Sequence, residues 1–234
     1  MALRVIQIKD GNSSANSSTV NLTVNSTTGS NLIVVAVMND NARSIVSVRD
    51  GKNTYIQSSA SLSIGNGGNF INQFYYLTSG SGARTNITAS FNGSAGTYFK
   101  ELFAIELEGF TNATFDSASA TNAAVENGVT ASGAPINMTP GATNGFAAAS
   151  VITFTAIGNN PLTGNEFTAG GLIGTTFDAI CALTTSVAGF HKAEWADTGG
   201  GVAYAASTIA FREGTVVTGS NVVKDNSSLL MFFQ

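Results

Sequence analysis

Short apolar runs alternate along the chain with clusters of Gly, Ser, Asn and Thr, at spacings that suit strands and not helices. Val20-Asn-Leu-Thr-Val24 places apolar and polar residues on alternate positions, the pattern of a strand buried on one face. Leu32 to Met38 is apolar at every position and bounded by Asn31 and Asn39-Asp40. Its β-branched content disfavours a helix and predicts a central strand covered on both faces. Ile45 to Val48 and Thr54 to Gln57 flank Asp50-Gly51-Lys52-Asn53, a tight-turn sequence. Phe70 to Leu77, Asn86 to Phe91 and Tyr98 to Glu108 read as further strands between Gly/Ser-rich turns. No stretch combines helical periodicity with caps, so the predicted fold is all-β.

The second half of the chain echoes the first. Laid over one another, Phe70 to Gly109 and Asp178 to Gly214 both read as strand, small-residue turn, strand, Gly-rich turn and long apolar strand ending in Glu-Gly. At an offset of 104, Leu77 meets Cys181, Ile87 meets His191, Ala89 meets Ala193, Phe91 meets Trp195 and Ile105 meets Ile209. Upstream, Asn31 to Asn39 has a counterpart within Asn144 to Asn159. A twofold internal pseudo-repeat of strands predicts one large antiparallel β-sandwich over residues 19–214, with both halves lining a shared core. Thr111 to Gly133, rich in Ala, Ser, Thr and Asn, reads as a long crossover with one edge strand. Residues 1–18 fall outside the repeat as an N-terminal arm. Residues 215–234 form a C-terminal arm or docked strand whose apolar cluster, Leu229, Leu230, Met231, Phe232 and Phe233, requires burial on its own sandwich or on a neighbour.

Composition narrows the function classes. Charged residues make up 10% of the 234, net charge is −4, and the ten Lys and Arg are scattered. A nucleic-acid partner calls for a basic stripe, and none is visible. The longest apolar run is too short to span a bilayer, and the first residues lack the apolar core of a secretory signal, which predicts no membrane partner and synthesis in a cytoplasm. Without that signal, the nine Asn-x-Ser/Thr sequons (Asn12, Asn16, Asn21, Asn25, Asn86, Asn92, Asn112, Asn137 and Asn226) read as composition.

Catalytic vocabulary is sparse: one His, one Cys and one Trp. Cys181 reads as a small buried strand residue. His191 alternates with Ala193 and Trp195 and reads as a structural histidine on their face, with no second histidine to share a metal. Glu106 and Glu108 share a strand face about 7 Å apart, a separation open to glycoside hydrolysis, but they read more simply as a solvated face or ion-pair site. Asp40, Asp50, Asp116, Asp178 and Asp197 form no recognised calcium loop. No cofactor is predicted. Trp195 reads as a core anchor, with a second use, beside Tyr98 and Tyr204, as a sugar-stacking platform.

Asn31-Leu-Ile-Val-Val-Ala-Val, Ile45-Val-Ser-Val-Arg-Asp-Gly-Lys-Asn-Thr-Tyr, Phe74-Tyr-Tyr-Leu, Asn86-Ile-Thr-Ala-Ser-Phe and Leu102-Phe-Ala-Ile-Glu-Leu-Glu-Gly occur in that order. Val187-Ala-Gly-Phe-His-Lys-Ala-Glu-Trp and Thr208-Ile-Ala-Phe-Arg follow as closing strands. Over roughly residues 20–213 this series resembles a recurrent bacterial and phage β-sandwich module. The resemblance implies a jelly-roll-like sandwich of the kind found in secreted surface proteins and virion components. With no signal peptide, it points to a tailed-phage capsid decoration or tail-surface protein. Such a protein is a non-enzymatic virion component that assembles as a homo-oligomer with other virion proteins. The alternative it leaves is a carbohydrate-binding or adhesin module that contacts a host surface glycan.

Overall fold

The computed structural model describes residues 3–13, 16–29, 31–39, 43–64, 70–82, 84–93, 99–110, 112–124, 130–132, 136–138, 145–153, 157–161, 168–174, 178–185, 189–197 and 203–214. Within them every regular element is a strand. The first half carries β1 (Arg4–Ser13), β2 (Thr19–Thr23), β3 (Leu32–Asn39), β4 (Ile45–Arg49), β5 (Ile56–Ile64), β6 (Phe70–Leu77), β7 (Asn86–Phe91) and β8 (Lys100–Glu108). The second half carries β9 (Ala113–Ala124), β10 (Thr130–Ser132), β11 (Ile136–Met138), β12 (Gly145–Thr153) and β13 (Ile157–Pro161). It continues with β14 (Thr168–Gly174), β15 (Asp178–Thr185), β16 (Gly189–His191), β17 (Glu194–Asp197) and β18 (Ala203–Glu213).

The strands of each half divide between one large sheet and smaller ones. In the first half β1-β8-β3-β6-β5 form a five-stranded sheet and β2-β7-β4 a three-stranded one. In the second half β14-β15-β12-β18-β9 form another five-stranded sheet, with smaller sheets β10-β17-β13 and β11-β16. All described ladders are antiparallel, so the protein is an all-β assembly of sheets packed face to face.

The two large sheets are the inner layers. Leu32, Val34, Ala36 and Met38 of β3, Phe74 of β6, and Phe103, Ile105 and Leu107 of β8 meet Phe146, Ala148, Ile180, Ala182, Ala205, Ile209 and Phe211 of the second sheet. Tyr76, Phe115 and Phe211 close one side of this core, with Tyr76 and Phe115 stacked at 5.4 Å. The other face of the first large sheet presents Ile33, Val35, Val37, Leu102 and Ala104 to Val20, Leu22, Val48, Ile87, Ala89 and Phe91 of the three-stranded sheet. β3 therefore has no exposed residue, as its unbroken apolar run predicts. In β2 the alternation also holds: Val20 and Leu22 are buried, Asn21 and Thr23 exposed.

One reading differs from the structure. Residues 4–13, set apart above as an N-terminal arm, form β1 and pair along β8 from Arg4–Glu108 to Ser13–Lys100. A bulge between Val5 and Gln7 breaks the apolar period that marks a strand in sequence. Within 111–133 the expected edge strand is β9, residues 113–124, paired along β18. Its Ala and Ser side chains give no alternation to read, and Phe115 is its main apolar contribution to the core.

Candidate functional site

Two buried networks hold chemistry-bearing side chains of the first half. Glu106, on the face of β8 that carries Leu102 and Ala104, is 3% exposed. Its Oε1 accepts hydrogen bonds from the Thr28 amide (3.0 Å) and Asn31 Nδ2 (2.8 Å), and Oε2 accepts from Gln7 Nε2. Gln7 in turn bonds both backbone groups of Asn25. The carboxylate thus ties β8, β1 and the 24–31 connection together, and three N–H donors compensate its loss of water. Glu108, two residues on, is paired with Arg4 at the surface. The reading of a solvated or ion-paired face fits Glu108. It does not fit Glu106, whose partners lie 75 to 99 residues away in sequence.

The second network explains the Asp-Gly-Lys-Asn-Thr-Tyr stretch. Asp50 Oδ1 accepts from the backbone amides of Lys52 (3.0 Å) and Asn53 (2.8 Å), closing the turn that Gly51 makes possible with φ of 81°. Asp50 Oδ2 faces Arg84 Nε at 3.4 Å, both side chains fully buried, and accepts from the Tyr55 hydroxyl at 3.3 Å. Burial, reinforced by the Asp50 charge, raises the Tyr55 hydroxyl pKa far above its ordinary value. Burial also pushes Tyr75 up to about 12.

In the second half, His191 (4% exposed), Ala193 (0%) and Trp195 (0%) point inward, while Lys192 is exposed. The alternation that assigns Trp195 to the core therefore holds. Its use as a sugar-stacking platform is overturned, because a fully buried indole offers no face to a glycan. Of its suggested companions, Tyr98 lies outside the described residues. Tyr204 sits in β18 opposite Ala123 and Thr153, with its side chain outside the described part. Cys181 is buried, donates to the Ala149 carbonyl at 3.7 Å, and has its thiol pKa raised strongly by burial. Leu229, Leu230, Met231, Phe232 and Phe233 lie outside the described residues.

Among the described residues no group of three His, Cys, Asp or Glu is placed to hold a metal. Asp116 is 3.5 Å from Arg212, and Asp50 is committed to Arg84 and its turn. Asp40 lies outside the described residues, as do the side chains of Asp178 and Asp197. No helix among the described residues is long and apolar enough to cross a membrane.

The outer face of β2-β7-β4 is a polar array in register. Thr19, Ser90 and Ser47 form one row, Asn21, Thr88 and Arg49 a second, and Thr23 and Asn86 a third. Thr88 Oγ1 donates to Asn21 Oδ1 (2.6 Å), and Thr23 Oγ1 to Asn86 Oδ1 (3.3 Å). Sequence reasoning found no signal for these rows beyond the strand alternation itself. Among the described residues the large exposed apolar side chains, Ile6, Val46, Ile56 and Phe190, are dispersed over β1, β4, β5 and β16. Comparison with known proteins yields no matching family model and no similar curated protein.

Proposed function

We propose that this chain is a non-enzymatic virion structural protein that decorates or cements an assembled phage particle. The observation that carries the non-catalytic part is the commitment of reactive groups among the described residues to the chain's own fold. Glu106 is held by three internal donors, Asp50 by Arg84 and its turn, and Cys181 and Trp195 are sealed in the interior. A catalytic acid or nucleophile needs access to a substrate, and these groups have none. The strand orders 1-8-3-6 and 2-7-4 support a jelly-roll reading of the first half, with β5 carried over to the larger sheet. The virion setting itself rests on the sequence resemblance. In this reading the stacked sheets supply a rigid body, and the terminal cluster Leu229 to Phe233 buries apolar surface on a neighbouring subunit. Repeated on a symmetric particle, such contacts add.

The test is the native mass of the full chain and of a chain ending at Gly214, by light scattering. The proposal expects a discrete oligomer that dissociates on truncation. The same mass for both chains would refute the terminal cluster as an assembly element.

A further inference from the structure

The two large sheets meet as near-equivalents. The order β5-β6-β3-β8-β1 matches β14-β15-β12-β18-β9 strand for strand, and each set occurs in the same sequence along the chain. Across the interface β5 lies against β9, β1 against β14, and β3 against β12. β9 is the counterpart of β1, and β14 of β5, so the edge contacts are reciprocal. β3 meets its own counterpart. A twofold rotation about an axis between β3 and β12 relates these three contacts, as at an isologous dimer interface, while the contacts of β5 and β6 with β18, and of β6 with β12, have no equally extensive counterpart between β14 or β15 and β8 or β3. Such a surface on the first half is shaped for two occupants: the second half of its own chain, or the first half of another copy.

One buried polar group distinguishes them. Asn72 of β6 is fully buried between the sheets. Its Nδ2 donates to the carbonyls of Ser150 (3.1 Å) and Ala205 (3.2 Å), and its Oδ1 accepts from Ser150 Oγ (2.8 Å). Ser207 Oγ donates to the Asn72 carbonyl at 2.9 Å. Ser150 and Ser207 sit opposite one another on β12 and β18. With Ile209 superposed on Ile105, their counterparts are Ala36 and Phe103, which sit opposite one another on β3 and β8 and face the same core. Pairing of two first halves would therefore set Asn72 against a methyl group and a phenyl ring. Its Oδ1 would have no donor, and Phe103 would fill the space of the small Ser207 side chain. A buried amide oxygen left without a donor is heavily penalised.

We propose that Asn72, with Ser150 and Ser207, is a pairing lock that directs the first half onto the second half of the same chain and against the like half of a second copy. Buried polar groups that set register and partner in this way are known in coiled coils. The test uses the full chain and the variant Asn72→Val/Ser150→Ala/Ser207→Ala, unfolded and refolded over a range of concentrations. Species are then resolved by size-exclusion chromatography with light scattering. The lock predicts a rise of about tenfold or more in chain-paired species over wild type at equal concentration, the factor expected of one unpaired buried polar group. Ser150→Ala/Ser207→Ala keeps both bonds from Asn72 Nδ2 to backbone carbonyls and so protects the fold. It should give a smaller rise in the same direction and decides the matter should the triple variant not refold. A species distribution indistinguishable from wild type in the folded variants would overturn the proposal.

Discussion

Replacing Glu106 by Gln isolates the charge of the buried carboxylate while leaving its size unchanged. One amide oxygen can still serve Thr28 N and Asn31 Nδ2, which share Oε1, but the other position becomes an NH2 group facing the Gln7 donor. The contact with Gln7 is then lost, at about 1.5–3 kcal/mol for a bond to a charged group, and the two remaining bonds fall to neutral strength. Gln7 retains its bonds to Asn25, which limits the damage. The expected destabilisation is about 3 kcal/mol, equivalent to a fall in melting temperature of roughly 6–12 °C for a chain of this size. Urea unfolding followed by the emission of the single, buried Trp195 and by circular dichroism measures it. In a double-mutant cycle, Gln7→Ala should lose most of its effect once Glu106 is Gln. A loss below about 0.5 kcal/mol, the range of ordinary surface substitutions, or strict additivity with Gln7→Ala, would refute the assignment of Glu106 as the tie between β1, β8 and the 24–31 connection.

Two further predictions concern titration and access. The folded-state pKa of Tyr55 and Tyr75 lies above the ordinary tyrosine value of 10.0, so the unfolded chain releases these protons first. Stability is therefore complete below about pH 10 and falls as pH rises toward 12, by on the order of 2–3 kcal/mol from Tyr75 alone. Urea midpoints for Tyr75→Phe should show a flatter alkaline limb; an unchanged limb contradicts the assignment. Cys181, buried and with its thiol pKa raised, should resist alkylation at pH 8 in the native protein and react fully in denaturant, as mass spectrometry would show. Rapid native labelling would mean that this part of the sheet opens.

The parts of the fold legible in sequence are those where one strand face is apolar and the other polar, as in β2 and β7, or where both are apolar, as in β3. The inward direction of Trp195 follows from the same alternation. β1 and β9 escape it for different reasons. The Val5–Gln7 bulge shifts the period of β1, and β9 is built of residues too small to mark a face. The networks around Glu106 and Asn72 were not legible because neither depends on local spacing. Gln7, Asn31 and Glu106 come together only after β1 and β3 flank β8, and Asn72 meets Ser150 and Ser207 only after the two large sheets stack.

β3 also divides the interior. Its even-numbered side chains belong to the core between the large sheets and its odd-numbered ones to the core beneath β2-β7-β4, so two apolar compartments share a wall one sheet thick, to which β6 and β8 contribute in the same way. A displacement of that wall to relieve crowding on one side compresses the other. Val34 and Val35, adjacent in sequence, thus report on different compartments while neither can move alone. The backbone amides of this wall are screened from water by both compartments and should be among the last to exchange with solvent, so that outer and inner layers lose their order together.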